Sequence, residues 1–237
     1  MESTKLLLAA LKIVDRCWKI EAELRQLFTD LENGNPGPLY WPELSTAVNP
    51  TDDAELGKVF PVAFHFPNLM TAYTCMIYWA SLILLWAVLS HVYQLLGALK
   101  VDNTTTGNPA DTCCHGRAGD NSSHDACSCE DKPPTPQHTT QFDMSQLLPV
   151  DPRIDVLAAS RNICQSLEYC MQKEMKGLGP AITVIPLMAV IDILPNFPHC
   201  SRELAWAKAL CEKFNEKGLR LMKYLDSEEP VRESKSQ

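Results

Sequence analysis

Apolar positions along the chain recur almost everywhere at helical spacing. Leu6, Ala10, Ile13, Cys17, Ile20, Leu24, Leu27 and Leu31 alternate in steps of four and three. That spacing predicts one apolar seam on a helix of about 28 residues, stopped by the Asn33-Gly34-Asn35-Pro36 turn. From Leu69 to Leu99 no side chain is charged. The run is long enough to cross a bilayer, which takes about 20 apolar residues as helix, and it equally fits a helix buried on all sides. A third helix is expected from Asp151 as N-cap and Pro152 as first helical residue, through Val156, Ser160, Ile163, Leu167 and Cys170 to Lys176, with Gly177 as its C-terminal cap. A short apolar helix, Val184 to Leu194, should follow the turn Gly177-Leu178-Gly179-Pro180 and stop before Pro195. Ser201 should cap a last helix whose seam is Leu204, Ala207, Cys211, Phe214, Gly218, Leu221 and Leu225. No strand-like alternation appears, so the fold class expected is all-α, an irregular array of about five helices around the central uncharged one.

Two stretches interrupt this pattern. Residues 33–61 hold five prolines and three glycines, too many breakers for a long helix. Residues 100–150 are rich in Thr, Asn, Asp, Gly, Pro and Cys and nearly lack aliphatic periodicity, which predicts a long disordered loop. The expected organisation is therefore an N-terminal helical half (1–99), the loop (100–150), a C-terminal helical half (151–225) and a polar tail (226–237).

An apolar fraction of 46% is ordinary for a globular chain and low for a multi-span membrane protein. The net charge of −8 argues against a nonspecific grip on nucleic acid. Residues 1–68 carry six basic and ten acidic groups, residues 100–150 three and seven, and residues 151–237 twelve of each. Glu2, Lys5, Lys12 and Asp15 break up any apolar run at the start, so no signal peptide is expected there.

Chemistry-bearing residues are few and scattered. Cys113, Cys114, Cys127 and Cys129, with His115 and His124 beside them, could ligate zinc as four thiolates. Their adjacent and Cys-x-Cys spacings fit the usual x2–4 pairs poorly, and the reading preferred is a reduced loop with no metal. Cys17, Cys75, Cys164, Cys170, Cys200 and Cys211 fall near helical seams and are expected as small core residues in a reducing compartment. There is no Gly-rich phosphate loop, G-x-S-x-G elbow or H-E-x-x-H helix. His91 is expected as a hydrogen-bonded core residue, and His199-Cys200 as part of a helix-entry turn around Pro198 rather than a catalytic pair. His65 precedes the apolar helix, and His138 falls in the loop. Glu168 and Glu174 are expected on a solvated face. No catalytic, metal or cofactor site follows. Tyr73, Tyr78, Trp79, Trp86, Tyr93 and Trp206 are expected chiefly as core, and ligand-binding residues stay unassigned.

Three segments carry a resemblance: FHFPNLMTAYTCMIYWASLILLW (64–86), ASRNICQSLEYCMQKEMKGLGPAITVIPLMAVIDIL (159–194) and SRELAWAKALCEKFNEKGLRLMKYL (201–225). Together they resemble the C-terminal helical regulatory region of fungal zinc-cluster (six-cysteine) transcription factors. The resemblance implies a nuclear, non-catalytic regulator that acts through small-molecule or protein contacts, with other transcription regulators or a small effector as partners and no cofactor. The zinc cluster itself is absent from the pattern, since the ten cysteines include no Cys-x2-Cys pair; direct DNA binding is therefore not expected. The alternative is a single-span membrane protein with residues 69–99 as the span and a glycosylated Cys-rich loop, for which Asn103-Thr104-Thr105 and Asn121-Ser122-Ser123 are sequons. The amphipathic helices on either side need a shared core, and this favours the buried helix over a span. A zinc-binding module on the Cys113 to Cys129 cluster is a third reading.

Overall fold

A computed structural model describes residues 2–102, 147–151 and 153–216. Five α-helices dominate: α1 (Glu2–Gly34), α2 (Leu69–Asp102), α3 (Val156–Cys170), α4 (Leu178–Ile193) and α5 (Ser201–Glu216). Between α1 and α2 runs an antiparallel pair, β1 (Trp41–Leu44) and β2 (Val62–His65), with Trp41 opposite His65 and Leu44 opposite Val62. The all-α array therefore stands, with one small hairpin added to it. The hairpin escapes the sequence pattern because each strand is four residues long and Pro42 interrupts the first. A proline survives there because the two strands form the whole sheet, leaving an edge that needs no donor.

α2 is the central element and contacts α1, α3 and α4. Asn68 caps it, its Oδ1 accepting from the Thr71 N–H at 2.9 Å. The N-terminal half of α2 gives Cys75, Met76, Trp79 and Ile83 to a large apolar cluster shared with the hairpin, α3, α4 and α5. Its C-terminal half gives Leu85, Leu89, Val92 and Leu96 to a second cluster with Ala10, Val14, Cys17 and Trp18 of α1. Burial on all sides is not complete. Met70, Leu84, Val88 and Leu95 form an exposed row at 44–70% accessibility.

The seam of α1 is only half as expected. Ala10 and Cys17 are buried, but Leu6, Ile13, Ile20 and Leu27 face outward. The buried face is rotated to take in Val14, Trp18 and Glu21, the last of these with no exposed surface. A buried carboxylate has to be paired. Glu21 receives Arg25 Nε at 2.9 Å and Arg153 Nη2 at 3.0 Å, and the Arg153 guanidinium lies 5.0 Å over the Trp18 ring. Around it, the Trp18 indole donates to the Tyr93 hydroxyl (3.2 Å), and that hydroxyl donates to the Leu148 carbonyl (2.7 Å). The Trp86 indole donates to Asp151 (2.8 Å). Residues 147–151 and 153–154 are thus fastened across α1 and α2, with Val150 and Ile154 in the second cluster.

That fastening corrects the expected start of α3. Asp151 is engaged by Trp86, and the helix begins at Val156 with Asp155 as N-cap, accepting from the Ala158 N–H at 2.8 Å. α3 also ends early, at Cys170. A 3-10 turn (Lys173–Met175) follows, and Lys176, at φ 50°, makes the reversal expected of Gly177. α4 begins at Leu178 rather than Val184, because Pro180 sits in its first turn, where no N–H is needed. Gly179 permits the close crossing: an added Cβ would lie 2.1 Å from the Cys170 carbonyl oxygen. A 3-10 turn at Pro198–Cys200 leads into α5, as the helix-entry reading expects. The loop expected at 100–150 lies mostly outside the described residues, as do the tail and the seam positions beyond Glu216.

Candidate functional site

A cleft of about 420 Å³ opens where the hairpin and its connecting loop meet α3 and α5. Its apolar wall includes Phe60, Leu167, Trp206 and Leu210. Phe60 is buried and meets Trp206 edge-on, with ring centroids 4.8 Å apart. The polar wall comes from α3. Gln165 and Glu168 lie about one turn apart on α3, and Gln172 follows just past its C-terminal end; all three line the cleft.

Glu168 is where the solvated-face expectation fails. Its Oε1 accepts from the Thr46 N–H (2.8 Å), the Thr46 hydroxyl (2.8 Å) and the Ala47 N–H (3.1 Å), which pins the loop against α3. Burial pushes its pKa up, but hydrogen bonds from Ser45, Thr46 and Ala47 outweigh this and hold the carboxyl below its ordinary range. The same loop is held from behind by Lys58, whose Nζ donates to the carbonyls of Ser45 (2.6 Å) and Ala47 (2.7 Å). Glu174 behaves as expected and is exposed.

Two other carboxylates line the cleft, each already engaged. Asp52 accepts from the Asn49 N–H (2.9 Å) and the Val59 N–H (3.2 Å). Glu43 accepts from the Trp41 indole at 2.8 Å and sits 3.5 Å from His65 Nε2. At the far edge Lys213 donates to the Val48 carbonyl at 3.3 Å. Gln165 and Gln172 have no side-chain hydrogen bond among the described residues.

Among the described residues the histidines do not assemble into a site. His91 is exposed on the outward row of α2, not a core residue. Its neighbours on that row, Leu84, Val88 and Leu95, are exposed as well. His199 is also exposed beside buried Cys200. Cys17, Cys75, Cys164, Cys170 and Cys200 are free and buried and Cys211 half-buried, as expected of core cysteines. Burial pushes the Cys75 and Cys170 thiols up to about 12. Cys113, Cys114, Cys127 and Cys129, with His115, His124 and His138, lie outside the described residues. Among the described residues no group of His, Cys, Asp and Glu is placed to hold a metal.

Most aromatics on α2 serve packing. Tyr78 stacks on Phe28 at 4.1 Å, Trp79 meets Tyr40 edge-on, and Trp86 packs on Phe197. Of those singled out from the sequence, Trp206 alone lines the cleft. The site therefore lies on α3, α5, the hairpin and the loop that follows β1, away from the aromatic helix. Its legible signal was the polar trio at 165, 168 and 172. Among the described residues two helices are long and apolar enough to span a membrane, Leu69–Ala98 and Leu178–Asn196, and 44% of the apolar window of each is buried inside the fold. No family model, curated protein or solved structure matches the chain.

Proposed function

We propose that this chain is a non-catalytic regulator of the transcription-factor type, acting in the nucleus through contacts of its helical region with a small molecule or another regulator. The observation that supports this reading is the cleft: an apolar wall, a polar face with two amides that make no side-chain hydrogen bond among the described residues, and a volume in the range of small-molecule pockets, about 300–1,000 Å³. The resemblance of three helical segments to regulatory regions supplies the transcriptional side. The test fuses the full chain to a heterologous DNA-binding domain and follows a reporter, with Gln172→Trp filling the cleft mouth. Altered transcription that the filled variant shifts is expected. A fusion indistinguishable from the DNA-binding domain alone would overturn the reading.

One observation favours a second reading, a membrane protein with α2 as its span. The outward row of α2 carries Met70, Leu84, Val88 and Leu95 with His91 among them, and holds no Asp, Glu, Lys or Arg. Carbonate extraction of cells expressing the tagged chain separates the two, since a span stays in the pellet and a nuclear regulator does not.

A further inference from the structure

Charge in the cleft is one-sided. Glu43, Asp52 and Glu168 face it, against Lys213 alone among lysines and arginines. Glu168 stands apart from the other two. It sits on a helix, it forms no ion pair among the described residues, and its donors are N–H and O–H dipoles that leave its negative charge uncompensated. The three bonds from Thr46 and Ala47 fall on Oε1, and the Ser45 side chain adds a fourth donor to the carboxylate. Each carboxylate oxygen offers about two acceptor positions, so Oε2 keeps capacity for one more donor. Gln165, one turn earlier on α3, and Gln172, just past its end, can each turn an amide carbonyl oxygen inward. The apolar lining they share the cleft with is Phe60, Trp206 and Leu210. An ammonium group has three donors and no acceptor, and it is attracted to aromatic faces. An organic carboxylate would meet three like charges and little to satisfy it.

We infer that the cleft selects a small amphipathic amine, with its ammonium at Glu168 between Gln165 and Gln172 and its apolar body against Phe60, Trp206 and Leu210. The inference rests on the reading of the cleft as a small-molecule site. The chemistry is binding only, with no bond made or broken.

A matched series sharing one apolar body tests it on the full chain: 4-phenylbutylamine, 4-phenylbutanol and 4-phenylbutyrate, followed by tryptophan fluorescence and thermal shift. The amine should bind about tenfold tighter than the alcohol, as a charged hydrogen bond implies, and the acid weakest. Glu168→Gln keeps an acceptor oxygen for the Thr46 and Ala47 donors but removes the charge, and it should bring amine and alcohol to parity. Gln165→Glu, which leaves the loop anchor intact, should tighten the amine further. Equal binding of all three, or preference for the acid, would overturn the amine selectivity and leave the cleft as a small-molecule site. Binding of none, with the thermal midpoint unmoved, would overturn both.

Discussion

At the scale of single residues, charge inside the fold is held by specific donors, and removing one donor should be costly. Glu21 is fully buried between Arg25 and Arg153. Arg25 is half exposed, so water already screens part of its contribution. Arg153→Met leaves the carboxylate with that single weakened partner and should lower unfolding free energy by about 3 kcal/mol. The surface pair Lys19–Asp15 is the contrast. Both side chains are about two-thirds exposed, and Asp15→Asn should change stability by less than about 0.5 kcal/mol. Chemical denaturation of the two variants checks both values. Glu168 makes a pH-dependent contribution of known sign. Its carboxyl titrates lower folded than unfolded, so its stabilisation is fully present above the unfolded value and fades as pH falls through the folded one. Wild type should therefore exceed Glu168→Gln in stability at neutral pH, and the gap should close as acid is added from about pH 4.5 downward. A gap that stays constant to pH 3 would rule out the anchor.

At the scale of elements, what the sequence discloses depends on how local the cause is. α2 is legible because thirty uncharged residues leave no other element to form. α1 is legible as a helix but not in its facing, because a fully buried glutamate at 21 reads as outward when taken alone. Its burial is licensed by Arg153, more than a hundred residues away. The hairpin is too short for alternation to register, and the start of α3 is set by the tertiary bond from Trp86 to Asp151. Glu168 fails for the same reason, since its donors lie in the loop before α2. The α3–α4 crossing yields a sharp expectation. Gly179→Ala would push a methyl into the Cys170 carbonyl and the Met175 side chain, 2.1 and 2.6 Å away. The helices must part, at a cost of about 1–3 kcal/mol. A thermal melt reads this directly, and an unchanged midpoint would mean the crossing is looser than the backbone geometry requires.

At the scale of the whole molecule, α2 gives fully buried residues to both apolar clusters, while α1 builds the second and reaches the first through partly buried Phe28 and Leu31. The two clusters therefore cannot separate unless α2 bends or unfolds. Buried thiols fall on both sides: Cys17 in one cluster, and Cys75, Cys164, Cys170 and Cys200 in the other. With thiolate so scarce at Cys75 and Cys170, where burial lifts the thiols to about 12, alkylation at neutral pH has to wait for the fold to open. In a variant with Cys113, Cys114, Cys127, Cys129 and Cys211 replaced by serine, labelling times at Cys17 and Cys75 then act as two clocks on one molecule. Matching times would mean that the clusters breathe as a single cooperative unit through α2. An early Cys17 would mean that α1 peels away by itself, exposing the apolar face of the helix it had covered.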